Sequence, residues 1–418
     1  MKNRMFSAEK WAEELMTMFD GDARTVARHM QVIEKLEARF GAGRPVALFS
    51  APGRTEIGGN HTDHQHGRVL AASVNLDTLA AVSENGTNLI RIQSEGYRLC
   101  TVDLGDLSVH ENEKNTTLAL IRGVAAKFAS MGAKLAGFDA YVISDVLRGS
   151  GLSSSAAFEV LIGVILNSLY YGGRATAVEI AQIGQYAENV YFGKPCGLMD
   201  QMASSVGNLV AIDFADPAAP VVERVDFDFS KTGHSLCILD SGADHANLTD
   251  EYAAIPGELK KLCGYFGKNV LREIPKEDFY AAVPALRKAA GDRAVLRAIH
   301  FYDDNDRVPQ QIAALRAGDF DRFLLLMKES GRSSWMYLQN VIPAGYKEHQ
   351  DVALALALCD KLLCGRGAYR VHGGGFAGTV QAFVPNDLLA EFREKTEQVL
   401  GAGACHVLSI RPVGGTQL

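Results

Sequence analysis

Residues 148–157 read Arg148-Gly-Ser-Gly-Leu-Ser-Ser-Ser-Ala-Ala157, between a strand-like apolar run at 141–143 and a helix-like one at 155–170. Glycines let backbone approach an anion closely, successive N–H groups can point into the loop, and the following helix adds the positive end of its dipole. Phosphate is commonly held this way. The hydroxyls of Ser153, Ser154 and Ser155 supply further donors for phosphate oxygens and one candidate magnesium ligand. The spacing is not that of a Walker loop, nor GxGxxG, since Ser154 is the residue that follows Gly149 and Gly151 at the third position. A serine-rich helix cap with glycines serving tight packing has the same appearance.

Outward from this loop, glycines cluster twice more. SAPGRTEIGGNHTDHQHG (50–67) packs Arg54, Asn60, His61, Asp63, His64 and His66 between apolar runs. It reads as a solvated hairpin loop or as a polar site; its histidines raise a metal, but in no zinc-motif spacing. HGGGFAG (372–378) interrupts two strand-like runs, marking either a bulge or a place where backbone passes close to another group. Between these lies FGKPCGLMDQ (192–201), after a helix-like run bearing Glu188. Asp200 alone would be read as a helix cap, and Cys196, with no base partner in sequence, as packing.

The rest of the chain bounds the possibilities. Its 418 residues are 47% hydrophobic and 22% charged, which excludes disorder as the main state and suggests two or three domains. The net charge, 42 − 49 = −7, argues against nucleic acid as a partner. Seven cysteines without a CxxC pair suggest neither a disulfide framework nor a zinc site. The N-terminal residues lack the apolar core of a signal peptide, and the uncharged stretch 160–173 is too short and polar to span a bilayer. A cytoplasmic protein with no membrane partner is expected. Helices are expected at 8–19, 25–40, 117–131, 155–170, 177–191, 309–315 and 320–329, and strands at 69–74, 79–82, 89–92, 141–143, 235–239, 369–372, 379–384 and 406–410. Prolines and aspartates after 215 suggest a domain boundary.

Taken together, the segments resemble the GHMP small-molecule kinases, and within them the galactokinase branch. APGRTEIGGNHTDH (51–64) is similar to the sugar-kinase signature, GSGLSSSAA (149–157) to the family's phosphate loop, CGLMDQ (196–201) to its catalytic-aspartate segment and HGGGFAG (372–378) to its third motif, in the same order. The resemblance implies an α+β fold of two domains, one like ribosomal protein S5 domain 2 over 41–215 and a ferredoxin-like one over 216–418, behind a helical extension over 1–40. The implied activity is ATP-dependent phosphorylation of the anomeric C1 hydroxyl of galactose or a related aldose. ATP and Mg²⁺ are the implied cofactors, the sugar is a small-molecule partner, and a monomer or weak homo-oligomer is expected.

By the same resemblance Asp200 and Arg54 are catalytic, and Gly149, Ser150, Gly151, Ser153, Ser154 and Ser155 hold the ATP phosphates. Ser155 and Glu188 ligate Mg²⁺, while Asn60, His61, Asp63, Gly197, Asp200 and Tyr252 contact the sugar. The chain also departs from the pattern. Asn60 stands where galactokinases have a glutamate facing the sugar's terminal hydroxyl, Glu56 where an asparagine is usual, and His372 where a threonine is usual. Asn60 could hydrogen-bond a C6 carboxylate, so a galacturonokinase is the alternative. A non-catalytic sugar and ATP sensor is the rival of another class, although sensors tend to be damaged in the phosphate loop and 153–157 is intact here.

Overall fold

The computed structural model describes residues 4–146, 151–194, 196–243 and 248–418. Two helices come first, α1 (Ala8–Met18) and α2 (Ala23–Phe40). Ser7 caps α1 by accepting the Lys10 N–H at 3.4 Å. Asp22 precedes α2 but makes no cap bond; its carboxylate accepts the Thr25 hydroxyl instead. Trp11, Leu15, Val32, Ile33 and Leu36 bury together against Leu48, Leu79 and Ala81.

Those last residues belong to a long antiparallel pair, β1 (Ala47–Gly58) and β2 (Arg68–Glu84). Patterning suggests two strands where β2 is one, because Asp77 in its middle is held in ion pairs with Arg28 at 2.6 Å and Arg411 at 2.9 Å. β3 (Leu89–Ser94), β4 (Cys100–Asp103), α3 (Thr117–Ser130) and β5 (Phe138–Ser144) follow, then α4 (Ser154–Tyr170), α5 (Ala177–Tyr186), α6 (Met199–Val206), β6 (Leu209–Asp213) and β7 (Val221–Val225). Side chains alternate across a strand. Phe49, Ala80 and Val82 accordingly face α3, α4 and α5 through Phe128, Leu161 and Ile180, opposite the face that α1 and α2 cover.

The second unit begins with β8 (His234–Asp240) and runs through α7 (Thr249–Tyr265), α8 (Lys276–Ala290), α9 (Asp292–Arg316), α10 (Phe320–Ser333) and α11 (Asp351–Leu363) to β9 (Ala368–Val371), β10 (Thr379–Pro385), α12 (Leu389–Leu400), β11 (Cys405–Leu408) and β12 (Thr416–Gln417). The helix expected at 309–315 is the end of α9: Pro309 lies inside it, and buried Val308, Gln311, Ala314 and Leu315 hold the turns that proline would otherwise disfavour.

β8 to β11 form a four-stranded sheet of order β11-β8-β10-β9, a ferredoxin-like β-α-β-β-α-β arrangement. Among the described residues the first sheet has eight strands, ordered β12-β1-β2-β5-β3-β4 with β6 on β2 and β7 on β6. Residue 215 therefore falls between two strands of the first sheet, which also takes back β12 from the C-terminus. Ile57, Leu70 and Ala72 of the first sheet share one core with Ile238 and Phe383 of the second and Met327 of α10. The glycine-rich segments meet at this junction.

Candidate active site

Arg54 follows an irregularity in the pairing of β1 with β2. A Cβ on the preceding Gly53 would stand 3.1 Å from the Leu152 carbonyl, and the Arg54 N–H donates to that carbonyl at 3.0 Å. The first glycine-rich segment is thereby tied edge to edge with the serine loop. From β1 the guanidinium reaches the first turn of α6, donating from Nε to Asp200 Oδ1 at 2.7 Å and from a terminal nitrogen to Oδ2 at 2.9 Å, and also to the Gly151 carbonyl. This two-point pairing fixes both groups in plane.

Ser153, at the head of α4, adopts a left-handed conformation (φ 56°, ψ 67°) that is uncommon for serine, and lines the same cleft as Asp200. Burial would push the Asp200 carboxyl up, but the Arg54 charge, its hydrogen bonds and Ser153 hold it below the ordinary carboxylate value. Burial likewise opposes the charge on Arg54, and Asp200 more than restores it. The Asp200 side chain keeps 31% of its surface exposed.

A second acidic group lies alongside. The helix expected to continue to 191 changes at Ala187 into a π-turn, Ala187–Phe192, whose wider winding carries Glu188. Gln201 Nε2 donates to Glu188 Oε2 at 3.0 Å and to Glu159 Oε2 at 2.9 Å. Glu159 was not among the residues singled out from sequence; its signal is to be the one charge within the apolar run of α4. Burial, with the Glu188 charge beside it, pushes the Glu159 carboxyl well up, and its Oε1 has no partner among the described residues. Glu188 Oε1 is 3.8 Å from Lys194 Nζ. Cys196 is no thiolate, since burial pushes its thiol up.

Between these groups is a cleft of about 380 Å³. It brings together Arg54, Asp63, Gly151, Ser153, Ser154, Ser155, Glu188, Gly197 and Asp200, all expected from sequence, and adds Lys194, Cys196 and Gln201. Gly197 lets the backbone lie against Asp63, because a Cβ there would meet the Asp63 carboxylate and force it to shift. Burial pushes the Asp63 carboxyl up, partly offset by His61. Gly149 and Ser150 lie outside the described residues.

Asn60, His61 and Tyr252 do not line the cleft. His61 Nε2 donates to the Gly374 carbonyl at 3.0 Å and the Tyr252 hydroxyl to the Gly375 carbonyl at 2.8 Å, so both hold the third glycine segment. Asn60 is wholly buried. Its Nδ2 donates to Glu56 Oε1 at 3.0 Å and the Gly373 carbonyl at 2.7 Å, and its Oδ1 accepts from Ser334 Oγ at 3.2 Å and Asn340 Nδ2 at 3.0 Å. Departures from the family pattern thus meet in the fold. Glu56 also accepts from buried Arg370, and its N–H donates to His372 Nε2 at 3.3 Å.

Residues 119–208, which contain the serine loop, Glu188 and Asp200, match the family described as GHMP kinases N terminal domain. The chain carries a GHMP kinase N-terminal domain. Residues 34–84, which contain Arg54 to Asp63, match the galactokinase galactose-binding signature. Beyond this kinase domain the similarity extends along most of the chain. It is 29% identical over 354 residues to a galactokinase of Streptomyces coelicolor, covering 84% of this chain and 87% of that protein. A galactokinase of Glaesserella parasuis is 29% identical over 377 residues, covering 86% and 90%. The fold is similar to that of Lactococcus lactis galactokinase complexed with galactose, with a TM-score of 0.78 at 24% identity over 92% of this chain and 98% of that one. A mevalonate kinase structure matches with a TM-score of 0.61 at 13% identity over 87% and 99%. The fold is that of the GHMP kinases, in two units.

Proposed function

We propose that this protein is an ATP-dependent sugar kinase that transfers a phosphoryl group to the anomeric C1 hydroxyl of galactose or a related aldose. The observation that carries the reading is the Arg54–Asp200 pair at the head of α6, in one cleft with the serine loop at the head of α4. The curated galactokinase relatives and the galactose-binding signature over 34–84 support the same reading.

Phosphoryl transfer needs the attacking hydroxyl aligned and the charge on the transferring group stabilised. Asp200, held ionised by Arg54, is a weak base at neutral pH. Its part is to orient the sugar hydroxyl and to take the proton late, as the bond to phosphorus forms. The N–H groups at the head of α4 and the hydroxyls of Ser153, Ser154 and Ser155 hold phosphate oxygens. Ser155 and Glu188 offer hard oxygen donors for Mg²⁺; Gln201 donates to Glu188 Oε2, and Lys194, 3.8 Å from Oε1, would have to share that oxygen with the ion. Such an ion would neutralise charge on the ATP phosphates.

Both N–H groups of Asn60 are already donated within the protein, and Arg370 behind it is paired with Glu56. That favours a neutral sugar over a uronic acid. ADP release from Mg·ATP, with galactose, galacturonate, arabinose, glucuronate, N-acetylgalactosamine and mevalonate in parallel, tests the proposal. Galactose is expected to stimulate release and to yield the 1-phosphate. Release with mevalonate alone, or with none of the sugars, overturns it.

A further inference from the structure

A second cleft, of about 340 Å³, opens between α10, the π-turn Ser334–Leu338, α11 and β9, and among the described residues shares no lining residue with the first. Its size is that of a small-molecule site. The walls are largely apolar, with Trp335, Met336, Leu356 and Leu363. Trp335 is 42% exposed and Met336 58%, so two large apolar side chains are presented to solvent from one concave surface.

The charges in this cleft are unbalanced. Lys328 and Arg332 both line it, one turn apart on α10, where like charges repel. Among the described residues neither has a carboxylate within ion-pair distance. Asp360, the one carboxylate in the lining, accepts the Tyr369 hydroxyl at 2.6 Å and lies 3.6 Å from Lys361. Arg370, at the base, is neutralised by Glu56. Two unneutralised cations therefore stand over an apolar hollow in a chain whose net charge is −7. An anion is attracted to such a spot, and an aromatic body can pack on the indole and on the guanidinium plane.

We propose that this cleft binds a small planar anion, one or two fused aromatic rings bearing a carboxylate or a chemically similar group. The cations hold the anionic group, and the apolar walls hold the rings. The hollow backs directly onto the wall that seats Asn60: a Cβ on Gly331 would touch Arg370, and Ser334, which begins the π-turn, donates to Asn60.

Calorimetric titration of the full chain with 2-naphthoate and with uncharged 2-naphthalenemethanol tests this. One carboxylate per chain is expected, with the alcohol about tenfold weaker, the scale of a lost hydrogen bond to a charged group. Arg332→Glu, at an exposed position, should remove the preference for the acid. Ala357→Phe, exposed on α11 and lining the cleft, should fill it and abolish binding of both. The only other tryptophan, Trp11, is wholly buried, so a fluorescence change on binding should disappear in Trp335→Phe. Absence of binding to the wild type, equal affinity for acid and alcohol, or binding undiminished in both Arg332→Glu and Ala357→Phe overturns the proposal.

Discussion

Arg54 and Asn60 lie in one glycine-rich segment, and a π-turn from elsewhere in the chain stands behind each: Ala187–Phe192 near the first, Ser334–Leu338 at the second. At Arg54 the groups are charged, partly open and incompletely partnered, with Asp200 facing a cleft and a Glu159 oxygen unpaired. Asn60's own polar groups are all taken, and of its side-chain partners Asn340 alone keeps an unpaired atom, Oδ1, among the described residues. Besides the four side-chain bonds, the Asn60 N–H donates to Asp304 Oδ2 at 2.8 Å and its carbonyl accepts from His300 Nε2 at 2.9 Å. The same motif thus supplies a cleft-facing charged group at one end and an anchor at the other. Substitutions on the open wall should change chemistry first, and on the closed wall stability first.

The largest expected effect is that of Asp200→Asn, which should lower kcat by about 10²- to 10⁴-fold, the usual contribution of a positioned acid or base. Asparagine still accepts from Arg54, so the fold should survive; ADP-release kinetics beside a thermal melt would measure the split. Near-normal turnover would break the comparison at its open end.

Asn60→Glu should destabilise the protein by about 3–5 kcal/mol, since it sets a second carboxylate beside Glu56 and the Gly373 carbonyl and removes both donors. Read from sequence alone, the same change would shift sugar preference by about 1–3 kcal/mol. Urea unfolding decides between these, and adding Glu56→Asn, which returns an amide to face the new carboxylate, should recover at least about 1 kcal/mol. Full stability in the single variant would mean that the wall is not closed.

Acid should act through His64, on the same segment. Burial, with His61 beside it, pushes its imidazole down to about 3. Gln65 donates to its Nδ1 at 3.2 Å, while Nε2 has no partner among the described residues. Between its ordinary value of 6.5 and about 3 the unfolded chain binds the proton and the folded one does not, so stability falls as pH is lowered through that window. His64→Gln should recover on the order of 1–2 kcal/mol at acid pH. Asp200 works at a lower pH: its carboxyl is depressed in the fold, so its contribution is present above the unfolded value and lost as pH drops through the folded one. An unchanged acid limb of stability in His64→Gln would remove that residue from the account.

The smallest effect is expected for Ser334→Ala, about 1 kcal/mol of stability with kcat unaltered. A change in kcat larger than the change in stability would show that the closed wall also shapes the reaction.

Much of this was legible in the chain itself. The three glycine clusters, the serines that follow one of them and the helices at 8–19 and 25–40 depend on chemistry a few residues long, which a sequence states directly. The π-turns were not legible, because widening a helix by one residue per turn leaves its apolar periodicity almost unchanged over so short a span. Glu159 was hidden by the strength of the apolar run around it. Asn60 was read as open to substrate because the partners that occupy it lie at 300, 304, 334, 340 and 373.

By itself the sequence determined a glycine- and serine-rich loop at the head of a helix, an arginine and an aspartate each within its own short motif, and two α+β units, since each of these is written in residues near one another in the chain. Only the tertiary structure decided which polar side chains remain available. Availability depends on whether a donor or acceptor, once taken from water, finds its partner within the protein, and those partners arrive from distant segments.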